Sequence, residues 1–162
     1  MTANRPTRVE AVPDLPMLRI VREFDAPAAE VFRAHVDPEL VVRWLGPRRH
    51  EMRIEYWKCE TGGSYRYAHA SDGNEYTFHG CFHEVRAPER IVQTFAFEGA
   101  PDHVALERVQ FEDLGDGWCR LIATSLTESF ATRDAMLASG MESGIQEGYE
   151  RLDELLEAEV TS

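Results

Sequence analysis

The chain has 162 residues, 43% hydrophobic and 28% charged, which suits one globular domain with room for a real core. Acidic side chains outnumber basic ones by 29 to 17, for a net charge of −12, which excludes nucleic acid and anionic membrane surfaces as partners. Three cysteines, Cys59, Cys81 and Cys119, are odd in number and widely spaced, so no disulfide framework is expected and the setting reads as cytoplasmic.

The first segment, 1–16, is polar and proline-punctuated, and reads as a flexible tail ahead of a single domain over 17–160. No stretch approaches the ~20 apolar residues of a membrane-spanning helix. Leu18–Phe24 is a short β-rich run. Asp25, two residues before Pro27, marks a helix start, and Val31, Phe32, His35 and Val36 at helical spacing carry that helix over 27–36. Asp37-Pro38 restarts a second short helix through Leu45, which Gly46-Pro47 ends.

From there β-branched and aromatic runs alternate with turn signals such as Thr61-Gly62-Gly63, Asp72-Gly73-Asn74 and Gly115-Asp116-Gly117. They predict six strands, about 49–58, 64–70, 75–86, 90–98, 104–113 and 118–127, joined by turns tight enough for an antiparallel meander. A final amphipathic helix is expected from Thr132 to Ala158. The order is segregated α+β: a seven-stranded antiparallel sheet wrapped around one long C-terminal helix, with two short helices after the first strand.

That last helix carries Gly140, Gly144 and Gly148 at a spacing of four, on the face shared by Leu137, Met141, Ile145, Leu152 and Leu156. Each glycine costs about 1 kcal/mol relative to alanine in a helix interior, so a buried stripe of them needs a reason. Either another element approaches closely or volume is left empty. The reading adopted from sequence is the second, a hollow between helix and sheet.

Strand alternation then selects the inward members of each strand: Ile54 and Tyr56, Tyr65 and Tyr67, Phe78 and Phe82, Phe95 and Phe97, Val109 and Phe111, Leu121 and Ala123. Eight of these twelve are aromatic, a lining suited to a flat or hydrophobic small molecule. Glu107 shares the parity of Val109 and Phe111, and Met141, Gly144 and Gly148 would face the rings from the helix. Trp44 either plugs one mouth of this pocket or anchors the helix pair; Ser125 and Thr127 offer hydroxyls near the end of the last strand.

Four stretches carry a family resemblance: Trp44-Leu45-Gly46-Pro47, Gly62-Gly63-Ser64-Tyr65-Arg66-Tyr67, Gly80 to Val85 leading into Pro88-Glu89-Arg90-Ile91-Val92, and Arg133 to Glu142 followed by Gly148-Tyr149-Glu150-Arg151-Leu152. Over about 17–157 the chain resembles the bacterial homologues of the activator of the heat-shock-protein-90 ATPase, within the START and birch-pollen-allergen-like (SRPBCC) helix-grip superfamily. The resemblance implies a pocket between sheet and C-terminal helix that holds lipids, hormones or polyketides and sometimes carries cyclase or hydrolase chemistry. By family analogy it also implies a chaperone partner and a part in the stress response.

Candidate chemistry is sparse. His79, Cys81 and His83 share one face, but Phe78, Gly80 and Phe82 make the better inward set. Same-face neighbours lie about 6.6 Å apart along a strand, too far to converge on a zinc ion, so no metal site is expected. Neither a Gly-x-Ser-x-Gly elbow nor a phosphate-binding loop is present, and no cofactor is expected. The leading expectation is a binding protein for a small hydrophobic or aromatic molecule. The alternatives are a cyclase- or hydrolase-like enzyme using Glu107, His35 or a tyrosine, and a chaperone-related interaction module. Exposed strand edges make a homodimer a further expectation.

Overall fold

Eight antiparallel strands form one sheet in the computed structural model, which describes residues 5–161. They are β1 (Arg8–Val12), β2 (Met17–Phe24), β3 (Glu51–Trp57), β4 (Ser64–Ser71), β5 (Asn74–Arg86), β6 (Arg90–Phe97), β7 (Ala105–Gly115) and β8 (Trp118–Leu126). Their order across the sheet is β1-β2-β8-β7-β6-β5-β4-β3. The meander β3 to β8 pairs neighbour with neighbour, while β2 reaches β8 from the other end of the domain, Met17 opposite Leu126 and Phe24 opposite Cys119.

Two short helices follow β2: α1 (Ala28–Val36) and α2 (Pro38–Trp44). The side chain of Asp37 caps α2 by accepting from the Glu39 amide at 2.9 Å, with Pro38 in the first turn as the sequence requires. Asp25 does not cap α1; Pro27 holds that position without a side-chain bond.

Three features depart from the sequence reading. First, the sheet has eight strands and not seven, because Arg8–Val12 of the supposed tail pairs with β2, Val9 opposite Ile20 and Ala11 opposite Leu18. Arg19 binds Glu10 across this pair, and Arg133 donates to the carbonyls of Val12 and Leu15 at 2.8 and 2.9 Å. Residues 1–4 of that segment lie outside the described residues. Second, the C-terminal helix is two helices, α3 (Phe130–Ala138) and α4 (Met141–Thr161). Gly140 between them has φ +84°, the left-handed conformation that ends a helix, so it lies in no helix interior.

Third, the two remaining glycines do not face the sheet. A Cβ on Gly148 would stand 3.2 Å from the Trp44 carbonyl oxygen and 3.3 Å from the Gly46 nitrogen; one on Gly144 would touch Pro47 at 3.6 Å. The glycines are the seat on which the α2–β3 corner rests against α4. Close approach, not a hollow, explains them.

On the sheet side α4 presents Tyr149 and Leu152, buried with Phe24, Phe82, Phe111 and Leu121 in one core. Trp44 belongs to the same core. Its indole donates to the Ala34 carbonyl at 2.9 Å and stacks on Tyr149, so it anchors the helix pair and plugs no opening.

Candidate functional site

The concave face of the sheet meets α4 through Tyr149, Leu152, Leu155 and Leu156, which share one core with Phe24, Phe82, Phe111 and Leu121. Near one end Phe111, Leu121 and Phe82 are fully buried, as strand alternation requires. Towards the middle Gln93 and Phe95 of β6, Glu107 and Val109 of β7 and Ala123 of β8 also face inward, yet each stays partly accessible. The helix α3, which packs against β2 and α4, contributes no buried residue at all.

The floor is aromatic. Tyr65 stacks on Tyr67 at 5.8 Å, Tyr67 on Phe78 at 5.3 Å and Phe78 on Phe95 at 5.3 Å, with Phe97 5.2 Å from Phe78 at the strand end. Tyr56 is not part of it. The ladder between β3 and β4 slips by one residue between Ile54 and Tyr56, which turns Tyr56 outward, 46% exposed, and brings Trp57 in. Trp57 then packs against Tyr65 and Phe82 and donates to the Val36 carbonyl at 2.9 Å. Strict alternation missed it because the bulge consumes one residue of the pattern. Ile54 packs at the rim of the core, and Met141, in the first turn of α4, is partly exposed and outside it.

Glu107 is the polar centre. Burial pushes its carboxyl up to about 7, only partly opposed by the nearby Ser125 hydroxyl and the Gln93 amide. The Gln93 amide is shared, 3.4 Å from Glu107 Oε1 and 3.3 Å from the Tyr65 hydroxyl, which itself donates to the Thr94 carbonyl at 2.7 Å. Ser125 lies directly across the ladder from Glu107 and is 6% exposed; its Oγ makes no hydrogen bond of normal geometry. Thr127, by contrast, spends its hydroxyl on the Pro16 carbonyl. Burial, then the charge of Glu107, raises the hydroxyls of Tyr67 and Tyr149 far above neutrality, and neither has a hydrogen bond among the described residues.

His35 is poised differently. Its Nδ1 donates to the Val31 carbonyl at 2.8 Å, which leaves Nε2 as the acceptor, and burial lowers the ring to about 4. It sits edge-on to Phe111 and against Trp44. No hydrogen bond or ring contact among the described residues joins it to Glu107, so these two candidate groups are not brought together.

Sequence reasoning also missed two buried polar groups. Arg22 of β2, 1% exposed, grips Asp153 of α4 through both guanidinium nitrogens at 2.7 and 2.6 Å. His69 of β4 lies beneath Gly46, whose Cβ would meet the ring at 2.6 Å; burial, with His50 and Arg151 nearby, lowers it to about 4. An arginine inside a strand with an aspartate inside an apolar helix stripe was the available signal for the first.

The outer face follows the sequence reading. His79, Cys81 and His83 are exposed, and Arg66 and His79 both bind Glu98, holding its carboxyl down at about 2. A cleft of about 250 Å³ opens elsewhere, where α1 and α2 meet α4, with Ala34, Leu40, Leu155 and Leu156 as its apolar lining. Among the described residues no helix is long and apolar enough to cross a membrane.

Solved structures share this architecture. A solution structure from Arthrobacter aurescens is 28% identical with a TM-score of 0.84, covering 93% of this chain and 91% of its own. The crystal structure of Ms6760 from Mycobacterium smegmatis is 23% identical with a TM-score of 0.83, over 93% and 97% of the two chains. One from Rhodobacter sphaeroides is 23% identical with a TM-score of 0.84, over 93% and 98%. A search of curated proteins found no match. The family model described as activator of Hsp90 ATPase homolog 1-like protein matches residues 25–157, and with the helix-grip architecture in place the chain belongs to that family.

Proposed function

We propose that this protein binds a small hydrophobic molecule between the concave face of its sheet and α4. The single observation that carries this reading is the partial accessibility of inward-facing residues at mid-sheet, Gln93, Phe95, Glu107, Val109 and Ala123, while Phe111 and Leu121 beside them are sealed. In a close-packed core, central inward positions lose nearly all accessibility, so these mark the place where helix and sheet do not meet. The stacked rings of Tyr67, Phe78 and Phe95 give the ligand a flat apolar wall, and Glu107 with its hydroxyl neighbours gives it one polar end.

Gly144 is the wrong place to fill this space, since it points at Pro47. Ala123 is the right one. The wild-type protein is expected to bind the neutral dye Nile red with a blue-shifted emission, and Ala123→Trp to weaken that binding by about tenfold, equivalent to ~1.4 kcal/mol. Circular dichroism of the variant should show the same sheet and helix content. Unchanged dye affinity in Ala123→Trp would sink the reading.

A further inference from the structure

We infer that the ligand is a hydrophobic amine, whose ammonium head docks on Glu107 while its apolar body lies on the aromatic floor. This rests on the binding site proposed above and names the chemistry of its occupant.

Glu107 lacks a counter-ion. It is an acidic side chain on an inward face, at the centre of the sheet, and no Lys, Arg or His pairs with it among the described residues. The buried arginine, Arg22, is committed through both terminal nitrogens to Asp153. A carboxylate kept in such a place without a partner is costly unless something brings the opposite charge.

The second observation concerns the neighbours. Ser125 Oγ is buried beside Glu107 with no hydrogen bond of normal geometry, and the hydroxyls of Tyr67 and Tyr149 have none among the described residues. Gln93 has already given its amide to Glu107 and to Tyr65. Each hydroxyl oxygen carries two acceptor lone pairs, and no donor among the described residues uses them. A head group that fits must therefore donate several hydrogen bonds and accept few. An ammonium has three N–H donors and no acceptor; a carboxylate head would be repelled and a carbonyl would meet lone pairs. Tyrosine and phenylalanine faces add attraction for a cation within about 6 Å. The net charge of −12 favours the arrival of a cation over that of an anion.

One proton balances the event. At pH 6 Glu107 is mostly protonated in the empty site, and an ammonium docking there expels that proton to solvent. Binding should therefore tighten as pH rises, which a neutral ligand would not do.

The test uses a matched set, 2-(1-naphthyl)ethylamine, 2-(1-naphthyl)ethanol and 1-naphthylacetate, displacing Nile red from the wild-type protein and from Glu107→Gln. At pH 7.5 the amine is expected to bind about tenfold tighter than the alcohol, and the acetate more weakly than both. By pH 5.5 the amine's advantage over the alcohol should shrink about fivefold, and in Glu107→Gln that advantage should vanish. Calorimetry of the amine at pH 6 in two buffers of different ionisation enthalpy should show proton release from the wild type, a readout independent of how the variant folds. Equal affinities for amine and alcohol, an advantage that survives Glu107→Gln, or no proton release would each overturn the inference and leave the apolar site standing. Failure of Nile red to bind the wild type would overturn both.

Discussion

Three inward side chains bear on how this fold responds to acid, and they pull in opposite directions. His35 and His69 titrate near 4 in the folded protein, against an ordinary value of 6.5. Between those limits the unfolded chain binds more protons, so the stability they contribute above pH 6.5 is lost as pH falls towards 4. Glu107 runs the other way: its folded value of about 7 lies above the ordinary 4.5, so its contribution is complete below 4.5 and lost as pH rises through 7. Urea titrations from pH 4 to 8 should show His35→Phe flattening the acid limb by on the order of 2–3 kcal/mol, and Glu107→Gln removing the decline above pH 5. An acid limb unchanged in His35→Phe would place the titrating group elsewhere. The inward parity of Glu107 was legible from its strand, as was the whole run from Tyr65 to Ala123. What was not legible was Trp57 in place of Tyr56, because a bulge is a property of two paired strands and leaves no mark in the spacing of one.

Among the elements, α4 separates two uses of glycine that look identical in sequence. At Gly144 the nearest atoms to a new Cβ stand at 3.6 Å, ordinary contact, so Gly144→Ala should gain most of the helix propensity difference, about 0.5–1 kcal/mol. At Gly148 the neighbours are backbone atoms of Trp44 and Gly46 that cannot swing aside, and Gly148→Leu should cost about 2–3 kcal/mol by overpacking. Thermal melts of the two variants should move in opposite directions; a shared direction would contradict the seating of the α2–β3 corner on α4. The meander strands were located to within a residue or two because turn residues punctuate them and alternation fills them. β1 was not, since five residues without an apolar run become a strand only when β2 offers its edge. Nor was the α3–α4 break: Gly140 continues the helical spacing, and only its left-handed backbone shows that the helix has stopped.

At the scale of the molecule, the segregated order of strands and helices was enough to read the α+β helix-grip architecture, because one long apolar helix is the only cover available for so large a sheet. The tie that fixes the cover in place was not: Arg22 and Asp153 join β2 to α4 across most of the chain's length. Asp153→Asn strands the buried guanidinium and should cost about 3–5 kcal/mol, whereas Arg22→Met combined with Asp153→Leu should come within about 1 kcal/mol of wild type. Chemical denaturation of both variants measures this; equal losses would mean that packing, and not charge, holds the helix there.

The position of β2 also matters while the chain is being made. It leaves the ribosome early, and β1 covers one of its sides at once, yet the partner for the other side, β8, is among the last strands to be synthesised. Throughout that interval a row of backbone donors and acceptors stands open to any passing strand of another nascent chain. Arg19, Arg22 and Glu23 stud this strand with charge. Until β8 and α4 are made, the arginine that later locks the helix down is one of three charges on that open strand.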